Sequence, residues 1–216
     1  MKLHLRSSIT LLPPPHEKAD DGQVIEDWSR GLDWVKWLLG SVRARTELLM
    51  VEGGTMPMSA AWEEFAEGSM RVAIGPALKS AWRSAQAGDL DGLIAADLVL
   101  SSELSDAAAR RSTRAGAVLL KSTKNARYQA VLGRLREAVE QGRCEGHIAV
   151  VWAAVGHFFQ LSLTNVIAEY LLLEWDILTR DEPSLTPPVG KFGVAGLTSQ
   201  IMHEATAESV LRVVDA

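Results

Sequence analysis

Ile148-Ala-Val-Val-Trp-Ala-Ala-Val-Gly-His-Phe-Phe-Gln-Leu-Ser-Leu-Thr-Asn-Val-Ile-Ala168 runs for 21 residues without a formal charge. At about 1.5 Å per residue, a single helix of that length would cross a bilayer. Its interior argues otherwise, because His157, Gln160, Ser162, Thr164 and Asn165 all fall inside it and the last four cluster like an interhelical turn. Basic flanks are sparse, with only Arg143 near one end. Two buried helices meeting at Gln160 to Asn165 account for both the apolarity and the break. The stretch therefore predicts a helical hairpin at the centre of an α-helical bundle, and a membrane-associated helical protein is the competing reading.

Outward from the hairpin the apolar spacing stays helical. Tyr170, Leu171 and Leu178 extend its second arm, and Tyr128, Val131, Leu132, Leu135 and Val139 form a stripe closed by Gly142. Further back, Ser105 reads as an N-cap to a helix through Gly116, Leu119 and Leu120, and Leu90, Leu93, Ile94 and Leu98 read as the inward face of the helix before it. Gly88 can take the left-handed cap of a preceding helix and Asp89 can cap the next one. The stripe Met70, Ile74, Leu78, Trp82 contains Gly75-Pro76, so that helix should begin or kink near Pro76. Ser59 can cap a helix with Glu63 and Glu64 in its first turn, and Ile25, Trp28, Leu32 and Val35 form one more stripe. Beyond Thr179, Pro183, Pro187, Pro188, Gly190, Gly193 and Gly196 predict a loop over 180–196, then a last helix from Thr198 to Val214. The expectation is an all-α, single-domain bundle of about seven or eight helices over residues 23–216. A flexible arm over residues 1–22, marked by Pro13-Pro14-Pro15, precedes it.

Composition narrows the function. Twenty-seven acids against twenty-two bases give a net charge of −5, which excludes a general polyanion binder. One cysteine, Cys144, excludes an intramolecular disulfide scaffold and a Cys-rich zinc site. The apolar run Ile9 to Leu12 is too short for a signal-peptide core, so the expected location is the cytoplasm.

The charge is uneven. From Ala107 to Arg136 no acid occurs, while Arg110, Arg111, Arg114, Lys121, Lys124, Arg127, Arg134 and Arg136 do, so this stretch reads either as a solvated helix face or as a docking surface. Only Tyr128 is available there for base stacking, which places protein ahead of nucleic acid as the partner. Cys144 and His147, three apart, could put a thiolate and an imidazole on one side, but two ligands do not make a metal site. Catalytic patterns are missing: His203-Glu204 lacks the second histidine of a zincin, and Gly190, Gly193 and Gly196 are wrongly spaced for a phosphate loop. The competing soluble function is a small-molecule-binding helical bundle, such as a regulator's ligand domain, with tryptophans lining a pocket.

Several motifs resemble one family. Val72 to Leu90 reads Val-Ala-Ile-Gly-Pro-Ala-Leu-Lys-Ser-Ala-Trp-Arg-Ser-Ala-Gln-Ala-Gly-Asp-Leu, with Pro76 and Gly88 twelve apart. It is similar to a proline-marked, Ala-rich helix ending in Gly-Asp in the urease accessory protein UreF family. Asp97, then Arg111-Ser112 and Gly116 with Leu119-Leu120, resemble that family's helix of the form Arg-x-x-Ser-x-x-x-Gly, and Gly146-His147, Glu169-Tyr170-Leu171 and Pro188-Val189-Gly190 continue the likeness. Trp28 to Asp33, with Gly31, is a weaker match to a Ser-x-Gly-Leu-Glu motif. The Pro-x-Gly-Gly run ahead of it is replaced by Gln23 to Asp27, and Lys191 stands where glutamine is usual. The resemblance implies a non-enzymatic all-α chaperone, dimeric or part of a hetero-oligomer. Such a chaperone joins UreD (also called UreH) and the GTPase UreG on urease apoprotein and assists nickel delivery. No cofactor is implied as tightly bound, and nickel would be held only in transit. Partner contacts are expected at Arg110, Arg111, Arg114, Pro188, Gly190 and Lys191. Gly31, Pro76, Gly88, Asp89, Ser112 and Gly116 are expected as structural motif residues, with Cys144 and His147 as the metal candidates.

Overall fold

Ile148 to Gly156 are all buried, and they form the first nine residues of an eleven-residue helix that every neighbouring helix touches. The computed structural model describes residues 57–123, 130–182 and 184–204. Its elements in chain order are α1 (Met58–Phe65), a π-helical stretch (Ala66–Ile74), α2 (Gly75–Ala87), α3 (Leu90–Glu103), α4 (Asp106–Thr123), α5 (Val131–Glu140), α6 (Ile148–Phe158), α7 (Leu163–Leu178), a 3₁₀ turn (Gly190–Phe192) and α8 (Val194–His203). Counting α1 through α2 as one kinked helix gives seven helices and no strands among the described residues, an all-α bundle in one domain. The arm 1–22, the Ile25 to Val35 stripe with Gly31, and Lys124, Arg127 and Tyr128 lie outside the described residues.

The central hairpin forms as its composition requires. Helix α6 ends at Phe158, Gln160 turns the chain at φ 59°, and the Ser162 hydroxyl accepts the Asn165 amide to open α7. Gly156 lets the two arms close: a Cβ there would stand 2.4 Å from Val166 Cγ2. Around this hairpin α2 and α4 pack against α6, α3 pairs with α2, and α8 lies on α7. None of the described helices is long and apolar enough to cross a membrane.

Punctuation by glycine, proline and aspartate holds. Gly88 adopts φ 67°, and the Asp89 carboxylate accepts the Gly92 amide at 3.0 Å. Pro76 occupies the first turn of α2. The chain reaches it through the π-helical stretch, whose last amide bond runs from Gly75 to the Met70 carbonyl, with a kink at Gly68. Ser105 does cap α4, accepting the Ala108 amide at 3.3 Å.

Four expectations are corrected. Helix α1 begins at Met58 behind Pro57, whose fixed φ of −56° starts the turn, so Ser59 lies inside the helix and caps nothing. On α3 the inward residues are Leu93, Ala96, Asp97 and Leu100, and Leu98 faces solvent, because the helix turns its polar aspartate inward. The loop ends at Gly193 rather than Gly196, and the last helix starts at Val194 rather than Thr198. Gly196 lies inside that helix, and a Cβ there would sit 2.1 Å from the Gly190 carbonyl oxygen, so close packing, not a bend, demands that glycine.

Candidate functional site

Helix α4 brings two of its residues against the loop that opens α6. The Ser112 hydroxyl accepts the Ile148 amide at 3.3 Å, and Gly116 lies so close that a Cβ would be 1.9 Å from the Gly146 carbonyl oxygen. From the other side Asp97 of α3 grips the same loop. Its Oδ2 accepts the amides of Glu145 at 2.7 Å and Gly146 at 3.0 Å, and its Oδ1 accepts that of His147 at 2.7 Å. Gly146 makes the turn at φ 76°. A buried carboxylate satisfied by three amides fixes the start of the core helix.

Cys144 and His147 sit on this loop and are both buried. Burial, reinforced by the Asp97 carboxylate, pushes the Cys144 thiol up to about 11, so it stays protonated near neutrality. His147 Nε2 lies 2.8 Å from the Ser101 hydroxyl, its Nδ1 is buried without a partner among the described residues, and burial lowers its pKa. No group of three or more His, Cys, Asp or Glu able to hold a metal ion occurs among the described residues. Two buried side chains with no third such ligand grouped beside them among the described residues fall short of the ligand number of a closed metal site.

The basic stretch divides. Arg110, Arg114 and Lys121 project from α4 into solvent, whereas Arg134 donates to the Gly88 carbonyl at 2.7 Å and Arg136 donates to the Thr123 hydroxyl at 3.0 Å. Arg111 is half-buried. Two of the bases in that stretch therefore brace helix ends instead of facing a partner.

The Pro188–Lys191 turn is presented differently. Val189 is 94% exposed and Leu185 is exposed beside half-buried Pro187 and Pro188. The loop that carries them is pinned at several points. Trp62 Nε1 donates to the Phe192 carbonyl at 2.8 Å, Gln200 Nε2 to the Lys191 carbonyl at 3.2 Å, and Lys191 Nζ pairs with Glu67 at 2.7 Å. The Lys191 hydrogen bond and charge hold the Glu67 carboxyl below its ordinary range. Gly193 allows the loop to fold back, since a Cβ there would be 2.5 Å from the Pro188 carbonyl oxygen.

Sequence reasoning missed Lys79. Its buried ammonium donates to the Ile201 carbonyl at 2.7 Å, to that of Met202 at 3.4 Å, and to that of Glu204, closing the C-terminal end of α8. Desolvation lowers its pKa. A lone lysine in an Ala-rich helix gives no sign of this. Among the described residues, three of the four tryptophans expected as pocket lining are core: Trp62, Trp152 and Trp175 are buried and donate to the carbonyls of Phe192, Val166 and Leu185, while Trp82 borders a groove.

The family model described as UreF matches residues 60–174, more than half of the chain. The chain belongs to the UreF family. No curated protein matches it. Membership implies a urease accessory function. The matched UreF residues run from α1 into α7 and include Pro76, Gly88, Asp89, Asp97, Ser112, Gly116 and the Cys144–His147 loop. Trp28 to Asp33 and the Pro188–Lys191 turn fall outside the UreF match.

Proposed function

We propose that this UreF-family chain is a non-catalytic adaptor of urease maturation, acting in the cytoplasm. It joins UreD (or UreH) and the GTPase UreG on urease apoprotein, as a homodimer or within a hetero-oligomer, and nickel passes through that complex as cargo. The observation that carries the reading is the pinned turn that holds Val189 94% exposed beside Lys191. A hydrophobic side chain ordered in advance loses little entropy on binding, which suits it as an anchor in a partner interface. The exposed arginines Arg110 and Arg114 supply a second, basic contact for acidic partner surface.

Co-expression of the tagged chain with UreD and UreG tests this. The partners are expected in the eluate, and Val189→Asp and Lys191→Glu are expected to cut recovery at least about tenfold, about 1.4 kcal/mol. Because Val189 is exposed, the melting transition of Val189→Asp should stay within about 0.5 kcal/mol of the parent, whereas Lys191→Glu also breaks the Glu67 pair and is expected to cost up to about 1 kcal/mol. A folded chain that recovers neither partner overturns the proposal.

A further inference from the structure

Helix α4 packs on α6, and its buried side includes Ser112, Gly116 and Leu119. The opposite side carries Arg110, Arg114, Ala117 and Lys121, all exposed. At about 100° per residue, Arg114 and Lys121 stand about 40° and about 20° round the helix from Arg110, so the three cations form one nearly straight row about 16.5 Å long. Arg111 projects about 100° from Arg110 and is half-buried, which places it off the row. No described residue forms a side-chain hydrogen bond or an ion pair with any of the three cations. Arg110 and Arg114, one turn apart, repel each other. The chain offers little to offset this, since no acid occurs from Ala107 to Arg136 although the net charge is −5. Asp106, exposed one turn before Arg110, ends the row with the opposite sign. Such a row is a local conflict within the helix, and an anionic partner removes it.

The spacing selects the occupant. The cations stand about 6 Å and about 10.5 Å apart along α4. An acidic helix with carboxylates four and seven residues apart repeats both intervals along one side of its own axis. A strand does not, because side chains on one of its faces recur every ~6.6 Å and miss the second interval by about 3 Å. Between Arg114 and Lys121, Ala117 presents only a methyl group, which leaves room for a second helix to lie alongside. No aromatic side chain occurs from Ser105 to Thr123 for a base to stack on, which places an acidic protein ahead of single-stranded nucleic acid. We infer that Arg110, Arg114 and Lys121 form a docking row for an acidic helix of a protein partner, each cation meeting one carboxylate. The two arginines can grip theirs with both arms of the fork. Asp106 sets the direction, because a neutral or basic residue of the partner helix must fall opposite it. The inference rests on the adaptor reading and gives its basic contact a geometry.

The test is carbodiimide cross-linking of the tagged full chain co-expressed with UreD and UreG, because a carbodiimide joins an amine to a carboxylate in contact with it. Lys121 of the unsubstituted chain is expected to link to a carboxylate on a partner helix. Arg114→Lys and Arg110→Lys each add an amine, and are expected to link to carboxylates about seven and about eleven positions further along that same helix. Reversing the row with Arg110→Glu, Arg114→Glu and Lys121→Glu together is expected to cut recovery of the partner about tenfold, the sum of three exposed pairs, with the helical circular dichroism of the chain unchanged. A complex that is recovered without any link from Lys121, or that survives the triple reversal undiminished, overturns this inference and leaves the adaptor reading standing. A folded chain that recovers neither partner removes the adaptor reading and this inference with it. Links scattered over non-helical segments overturn the helix as occupant. Retention of a single-stranded thymidine oligonucleotide by the chain, lost on the triple reversal while UreD and UreG are still recovered, overturns it in favour of nucleic acid.

Discussion

The Asp97 carboxylate lies 2.7 Å from the backbone amide of His147, fifty residues away in the chain. Together with its bonds to Glu145 and Gly146, this contact ties α3 to the first turn of the core helix. Replacing Asp97 by alanine strands three amides at a buried site, and Asp97→Asn sets an NH₂ donor against them. Each is expected to cost about 3 to 5 kcal/mol in urea denaturation. A loss below about 1 kcal/mol would show that water replaces the carboxylate without penalty.

Gly116 and Gly142 offer a paired comparison. Gly116→Ala drives a methyl group into the Gly146 carbonyl, backbone that cannot swing aside, and should destabilise by about 3 kcal/mol or more. Gly142→Ala meets no atom within 4 Å but must hold φ 70°, which limits its cost to about 1 kcal/mol. Equal losses at the two positions would refute the close-approach argument.

His147 should make stability depend on pH. Burial holds its folded pKa below the ordinary 6.5, outweighing the opposing charges of Asp97 and Glu145. Below 6.5 the unfolded chain therefore binds more protons than the folded one, and stability falls as pH falls. The contribution is complete above the unfolded value and erodes as pH drops through it. His157, also lowered by burial, acts in the same sense. Denaturation midpoints should decline from about pH 7.5 to about pH 5.5, and His147→Gln should flatten that decline. A variant as steep as the parent would remove His147 from the account.

Cys144 should be nearly inert in the folded protein. A thiol raised from 9.0 to about 11 carries about a hundredth of the ordinary thiolate fraction at neutral pH. Labelling by iodoacetamide should be slow in buffer and rapid in denaturant, and equal rates in the two conditions would contradict the burial.

Much of the fold was legible in the sequence because its signals are local. Gly88 and Asp89 mark a helix end and a helix start by backbone chemistry that their neighbours do not alter. The polar break from Gln160 to Asn165 divided one apolar run into α6 and α7 for the same reason. Leu98 was misread because α3 is apolar on most sides, so spacing alone could not say which face turns inward. The family resemblance named Asp97, Ser112, Gly116 and His147 as separate motif residues, and nothing in their spacing said that they meet at one loop.

The sequence by itself thus determined that the chain is helical, where most helices begin and end, and that its centre is the hairpin after Gly146. These follow from propensity, capping and periodicity, which act over a few residues. Only the tertiary structure decided which polar groups serve the core and which stay in solvent. Arg134 and Arg136 became braces, Lys79 closed α8, and Gly196 allowed a close contact while Val189 was left in solvent. Those roles depend on atoms brought together from positions up to about 120 residues apart, as with Lys79 and Ile201, and the cost of burying a polar group is set by the partner it finds there.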